Sequence, residues 1–186
     1  ILAGIPSVVV GVFGIITLVP LVRDTIAPLY GVSSSGYCLL TGALVLALMV
    51  LPVIIALGVE VLRSVPRELR CASRALGAPP WATIWRIVLR AAAPQLGAVL
   101  VLAFARAAGE TMAVLMVAGN VAQVPGSLFA AIYPLPALIA NNYGEMMSIP
   151  AYDSALLFAA LLLLVIVGTA VTVARWSLAR LRRQVA

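Results

Sequence analysis

Four long apolar runs alternate with polar stretches along the chain. The first, residues 5–22, has 18 residues and ends at Arg23 and Asp24. As a helix rising about 1.5 Å per residue it covers about 27 Å, close to the thickness of a bilayer's hydrocarbon core. Pro6 suits its first turn, and Gly11 and Gly14 would permit close contact with another helix. Residues 24–36 read as a loop, punctuated by Pro28, Gly31, three serines and Gly36. The second run, 37–62, is interrupted by Pro52, Gly58 and Glu60, and Pro52 predicts a kink. The third, 96–118, carries Arg106 and Glu110 and closes at Gly119 and Asn120. The fourth, 154–174, has 21 residues without a charge, with Asp153 placed as its N-cap. Between the last two runs, residues 127–140 are apolar but too short to span. Pro134 and Pro136 break them, so this stretch is expected to be interfacial or re-entrant, with Tyr133 and Tyr143 as interface anchors. The pattern predicts an all-α integral membrane protein with four transmembrane helices, in a single domain over residues 1–186.

Composition narrows this further. Of 186 residues, 64% are hydrophobic and 10% charged, against about 25% charged in an ordinary soluble domain. That leaves too little polar surface to cover a water-soluble globule. The net charge is +6, yet all twelve basic residues are arginine. A P-loop needs a lysine to hold phosphates, so the chain is not itself a standard P-loop ATPase. There is no histidine and there are two cysteines, which excludes a zinc site of His and Cys ligands; no cofactor is expected. The chain begins without Met, so Ile1 reads as an internal start, and no basic segment followed by a cleavage site marks a signal peptide.

The arginines cluster at the ends of apolar runs. This distribution fits the positive-inside rule better than nucleic-acid binding. Six lie in residues 63–90, and Arg175, Arg180, Arg182 and Arg183 lie in the tail, where Trp176 fits an interface belt. Residues 24–36 and 121–153 hold none; the latter carry Glu145 and Asp153. The island 63–95 and the tail are therefore expected on the cytoplasmic side. The 24–36 loop and the 119–153 segment are expected outside, and both termini inside. Cys38 and Cys71 would lie at opposite ends of one span, so a disulfide between them would refute this topology.

The island has a pattern of its own. Pro66 fits a helix start. Leu69, Ala72, Ser73 and Leu76 then recur at helical spacing, and Gly77 is placed to end the helix. Ala78, Pro79 and Pro80 turn the chain. Trp81, Ile84, Trp85, Val88 and Leu89 form a second amphipathic stripe. This is a helix–Gly–turn–helix lying on the cytoplasmic face, its apolar knob suited to docking into another protein.

Cys71-Ala72-Ser73, then Gly77, then Ile87 and Leu89 resemble the EAA loop of ABC importer permeases, E-A-A-x3-G-x9-I-x-L-P. Cys71 stands where that pattern has Glu, and Arg90 where it has Pro. Over nearly the whole chain, IPSVVVGVFGIITLVPLVRD, LPVII and ARAAGETMAVLMVAGN resemble phosphate-specific, PstC-type permease subunits. The likeness is to the last four spans of the family's pattern, and the first two are expected to be missing. It implies a type I ABC importer permease fold with a cytoplasmic coupling helix pair. Arg67, Glu68, Cys71, Ala72, Ser73, Gly77, Ile87 and Leu89 would then meet ATP-binding cassette ATPase subunits. A second, related permease subunit and an external phosphate-binding protein would complete the plasma-membrane complex, with ATP hydrolysis in the separate subunits.

Arg106 lies ten residues after Leu96, about 15 Å into a core of about 30 Å. An arginine there costs about 2.5–3.5 kcal/mol, so it should face a protein interior or a watery cavity. Glu110 falls on the same helix face four residues on and partly neutralises it. The residues allow a self-satisfied structural ion pair. The resemblance instead implies a phosphate pathway: Arg106 offers its guanidinium fork to the oxyanion, Glu110 orients it and Gly109 permits close approach. Thr111 and Asn120 would add polar lining. Another oxyanion, sulfate or molybdate, or a non-transporting membrane scaffold are the alternative readings.

Overall fold

Each apolar run forms helix, but the helices do not stop where the runs do. The computed structural model describes residues 6–143 and 150–185. Its helices are α1 (Ser7–Leu29), α2 (Leu39–Ser64), α3 (Arg67–Ala75), α4 (Pro80–Ala108), α5 (Met112–Val117), α6 (Leu135–Asn142) and α7 (Pro150–Val185). Four are long and apolar enough to cross a membrane: α1, α2, α4 and the Tyr152–Val173 part of α7. Among the described residues there is no strand, only an isolated bridge between Gly119 and Ile132. Large apolar side chains stay exposed along α2 (Leu48, Leu51, Ile55) and α7 (Leu157, Phe158, Leu161). A helix can carry such a surface into lipid because its backbone polar groups are paired internally.

The boundaries depart from the sequence reading in three places. α1 runs past Arg23 and Asp24 to Leu29, absorbing part of the expected loop. Its register widens to π turns at Gly14–Leu18 and Val22–Ile26, each just before a proline-bearing turn (Pro20, Pro28). A proline ring clashes with the carbonyl four residues back, and a wider turn relieves that clash without ending the helix. The third long helix spans Pro80–Ala108 rather than 96–118. The second helix of the island is therefore the start of α4, continuous through a buried Pro94. α7 begins at Pro150, so Asp153 lies in its first turn instead of capping it, and the helix continues to Val185. Glu145 lies outside the described residues, as do the side chains of Arg180, Arg182 and Arg183.

The chain divides into two compact units, Ile1–Leu51 with Arg106–Val167, and Pro52–Ala105 with Gly168–Ala186. In the first, Val19, Val45, Ala113 and Val117 form a buried cluster ringed by Val10, Ile15, Leu18, Tyr37, Met49 and Met116. The expected close contact at Gly11 and Gly14 is present. A Cβ on Gly11 would lie 2.6 Å from Met116 Sδ, and one on Gly14 2.8 Å from Val45 Cγ2. Only hydrogen at these positions lets α1 meet α5 and α2 so closely.

The 119–132 segment folds back over the start of α2. Leu39 and Leu40 donate their N–H groups to the carbonyls of Ala130 and Leu128, at 3.0 and 2.9 Å. These are first-turn donors that the helix itself cannot satisfy. Ile132 N–H reaches Ala118 O at 3.0 Å, and Pro134 then starts α6, which gives the non-spanning stretch its short helix. Tyr133 Oη accepts from the amides of Asn141 and Asn142 (2.9 and 3.0 Å), while Tyr143 is exposed.

In the second unit, Val65, Val88 and Ala92 are buried together, with Val61, Leu62, Ala91 and Leu96 packed around them. This cluster joins the end of α2 to the first half of α4.

Candidate functional site

Two places gather the chemistry expected from the sequence. One is the end of α4. The helix stops at Ala108, and Gly109, Glu110 and Thr111 are not helical before α5 begins at Met112. The local residues explain the break. Gly109 is a poor helix former. Glu110 N–H bonds back to Ala107 O at 3.2 Å, a tightened last turn. Glu110 Oε1 accepts the N–H of Ala113 at 3.3 Å, and Thr111 Oγ1 donates to Gly109 O at 3.3 Å. Polar side chains thus take the hydrogen bonds a continuous helix would have used.

This corrects the picture of Arg106 and Glu110 as partners on one helix face. The break falls between them, and they form no ion pair; among the described residues the one ion pair is Arg23–Asp24, at 2.7 Å. Arg106 is exposed in the last turn of α4, Gly109 is exposed, and Glu110 and Thr111 are half-buried. Beyond the break, α5 packs against the middle of the first apolar run. Ala113 and Met116 pack on Gly11, and Val117 on Gly14.

Asn120 and Thr111 part company. Asn120 helps line an open cavity of about 370 Å³ with Ser35, Tyr37, Leu115, Met116 and Ala131, which Thr111 does not reach. Asn120 has φ +51°, and its Nδ2 donates to Leu115 O at 2.7 Å. Its Oδ1 is buried without a hydrogen-bond partner. The expected stop at Gly119 and Asn120 holds, since both have positive φ.

The second place is the island. α3 starts after Pro66 and ends at Ala75, with Leu76 as its C-cap, and Gly77 takes φ +79°. Gly77 N–H bonds to Arg74 O at 2.9 Å and Ala78 N–H to Ser73 O at 3.2 Å. This is the Schellman closure, which needs a left-handed residue after the helix and so favours glycine. Pro80 then occupies the first turn of α4. α3 buries none of its residues. Cys71 and Ala72 are exposed, as are Leu69, Leu76, Trp81, Ile84 and Trp85, with Leu76 at 89%. The rings of Trp81 and Trp85 meet edge-on at 5.6 Å. The expected second stripe splits: Val88 is in the core and Leu89 half-buried, which leaves the tryptophans and Ile84 outward, while Ile87 is half-buried beside them. Cys38 and Cys71 are both free, Cys38 buried and Cys71 exposed.

Sequence reasoning missed what fastens α3. Arg70 Nη2 donates to Leu62 O at 2.6 Å, and the hydroxyls of Ser73 and Thr83 share a hydrogen bond of 2.9 Å. Ser64 Oγ bonds Val61 O at 2.8 Å and Gln95 Oε1 at 3.3 Å. Arg70 sits in a basic run without a spacing signal, and its partner is a backbone carbonyl, so nothing local distinguishes it.

Residues 1–185 match the family model described as "Binding-protein-dependent transport system inner membrane component". The chain belongs to this family. It is 36% identical over 98% of its length to the phosphate transport system permease protein PstC of Xylella fastidiosa (strain Temecula1 / ATCC 700964), covering 60% of that protein. It is 41% identical over 77% of its length to a probable ABC transporter permease protein, YqgH, of Bacillus subtilis (strain 168), covering 45% of it. A probable phosphate transport system permease protein PstC of Methanocaldococcus jannaschii is 34% identical over 93% of the chain. The chain thus spans about half the length of the curated relatives it matches. No solved structure gives a significant match. The all-α fold with four apolar helices agrees with a multi-pass inner-membrane transport component.

Proposed function

We propose that the chain is part of the transmembrane permease subunit of an ATP-binding cassette importer that carries inorganic phosphate across the plasma membrane. The observation that supports this most is the guanidinium of Arg106, exposed beside the break that ends α4 and without an ion-pair partner among the described residues, while Glu110 accepts the Ala113 N–H. A guanidinium not neutralised by a neighbouring carboxylate can offer a planar fork to an oxyanion. Glu110, Gly109 and Thr111 form the irregular segment beside it. Non-helical backbone at membrane depth is tolerated where it lines a protein-enclosed or watery path. The relatives named as phosphate permeases favour phosphate over sulfate or molybdate as the cargo.

In this reading an external binding protein delivers phosphate, and ATP hydrolysis occurs in separate subunits docked on α3 and the start of α4. The outward Leu69, Cys71, Ala72, Leu76 and Trp81 supply the apolar part of that contact. Arg67 and Glu68 supply its charged edge, Ser73 and Gly77 shape the helix end, and half-buried Ile87 and Leu89 support the platform. A second permease subunit completes the pathway, and both ends of this chain face the cytoplasm.

The test uses the full complex in proteoliposomes, with phosphate-loaded binding protein outside and ATP inside. Arg106→Gln is expected to abolish phosphate uptake while the subunits still co-purify. Normal uptake by that variant would overturn the pathway role of Arg106. Competing sulfate or molybdate should leave wild-type uptake unchanged; transport of either would reassign the cargo. A complex that neither hydrolyses ATP in response to loaded binding protein nor takes up phosphate would favour a scaffold.

A further inference from the structure

The corner between α2 and α3 is only two residues long, Val65 and Pro66. Val65 is anchored in the core with Val88 and Ala92, while α3 buries nothing. Apolar packing therefore fixes the end of α2 against α4, and α3 hangs from that base by polar bonds. One of them crosses the corner. Arg70 reaches back from the first half of α3 to the carbonyl of Leu62, at 2.6 Å. Leu62 is among the last four residues of α2, whose carbonyls have no partner within the helix. The bond is charge-assisted and lies at the negative end of the helix dipole, which makes it stronger than an ordinary hydroxyl bond. Arg70 Nε is buried without a partner of its own, so the guanidinium is held in place by this reach.

We propose that Arg70 is a positioning residue that fixes the angle between α3 and α2, so that a displacement of α3 by a docked ATPase turns the end of α2 with it. The proposal rests on the coupling role given to α3 above. Without the brace, α3 swings about the backbone torsions of Val65 and Pro66, and the motion is lost at the corner. The Ser73–Thr83 bond does the corresponding work toward α4, but α4 also receives motion directly along the chain through Pro80. α2 is tied to α4 by the Val65, Val88 and Ala92 cluster and by Ser64–Gln95, but to α3 itself only by the two-residue corner and, among the described residues, the Arg70 bond.

The experiment measures phosphate imported per ATP hydrolysed by the full reconstituted complex. For Arg70→Gln, assembly and ATP turnover are expected to persist while the ratio falls about tenfold, the factor that corresponds to losing a hydrogen bond from a charged group. Arg70→Lys, which keeps a donor of similar reach, is expected to recover much of the ratio. An unchanged ratio in Arg70→Gln overturns the brace. So does a loss of uptake and ATP turnover in equal proportion, which would mark Arg70 as merely structural. A second readout does not depend on transport: spin labels on native Cys71 and on Glu60→Cys, with buried Cys38 unlabelled. The distance distribution between them should broaden in Arg70→Gln and stay narrow in Arg70→Lys. A narrow distribution in both overturns the brace. A wild-type complex that imports no phosphate, with labels that broaden as stated, instead overturns the transport reading and leaves the brace standing.

Discussion

The hydroxyl oxygens of Ser73 and Thr83 lie 2.9 Å apart, and Thr83 is 3% exposed. Thr83 also bonds Pro79 O at 3.3 Å. Since α3 buries no residue, this pair contributes much of what holds it to the start of α4. Thr83→Val keeps the side-chain shape and removes the hydroxyl. Ser73 is half-buried and regains water, so the loss is that of an ordinary hydrogen bond, about 1 kcal/mol. Amide exchange within Arg67–Ala75 should accelerate roughly fivefold, with exchange in the middle of α2 unchanged. Equal acceleration of both would mean general destabilisation.

The glycines with positive φ make a paired prediction. At Gly36, φ is +82° and an added Cβ would collide with Val19 O, lie 2.9 Å from Val19 Cγ1 and 3.1 Å from Arg23 Cβ. Gly36 O also accepts the hydroxyl of buried Thr41 at 2.5 Å. Gly36→Ala therefore combines left-handed strain, about 1–2 kcal/mol, with overpacking of about 1–3 kcal/mol. At Gly31, φ is +67° and nothing lies within 4 Å, so Gly31→Ala incurs the strain alone. Fully buried Cys38 reports both, because its alkylation on heating tracks opening of this unit. In a Cys71→Ser background, the Gly36 variant should become reactive at a clearly lower temperature than the Gly31 variant.

The two cysteines also test orientation. Cys71 is exposed on α3 and Cys38 is buried. A membrane-impermeant maleimide should label inverted vesicles at Cys71 and leave right-side-out vesicles unlabelled. Adding the ATPase subunits should slow the reaction several-fold. Labelling from outside would reverse the topology inferred from the arginines.

What the sequence made legible, and what it did not, follows the range of the interactions. The apolar runs announce their helices because the bilayer demands long apolar stretches. Gly77 announces the end of α3 because a left-handed closure favours glycine. Arg23, Asp24 and Pro28 misled as terminators, since a helix can carry an exposed ion pair and a proline if its register widens. The start of α4 was hidden by Arg86, Arg90 and Pro94, which look like loop and lie within helix. The fold-back of 119–132 onto the α2 amides is backbone pairing across about ninety residues, with no periodicity to reveal it. In the candidate site, residue identities were readable, but the geometry turned on Gly109 and Thr111. A Gly and a β-branched polar residue flanking Glu110 were the available signal for a break.

That break decides what Glu110 does. If it were the ion-pair partner of Arg106, exchanging the two residues would restore the pair. In the structure Glu110 Oε1 instead accepts the Ala113 N–H, at the start of a six-residue helix whose Ala113, Val114 and Val117 are buried. A glutamine retains an acceptor oxygen at that position and an alanine does not. Glu110→Gln should therefore keep α5 in place and cost only the charge's favourable interaction with the helix start, about 0.3–1 kcal/mol. Glu110→Ala should cost about 1 kcal/mol or more, by analogy with the loss of a capping side chain. The exchange Arg106→Glu with Glu110→Arg should be worse than either, because arginine has no acceptor for the Ala113 N–H. Thermal alkylation of Cys38, in the same unit as α5, ranks the three variants. Stability of the exchanged protein at or above that of Glu110→Ala would show that the two residues pair after all.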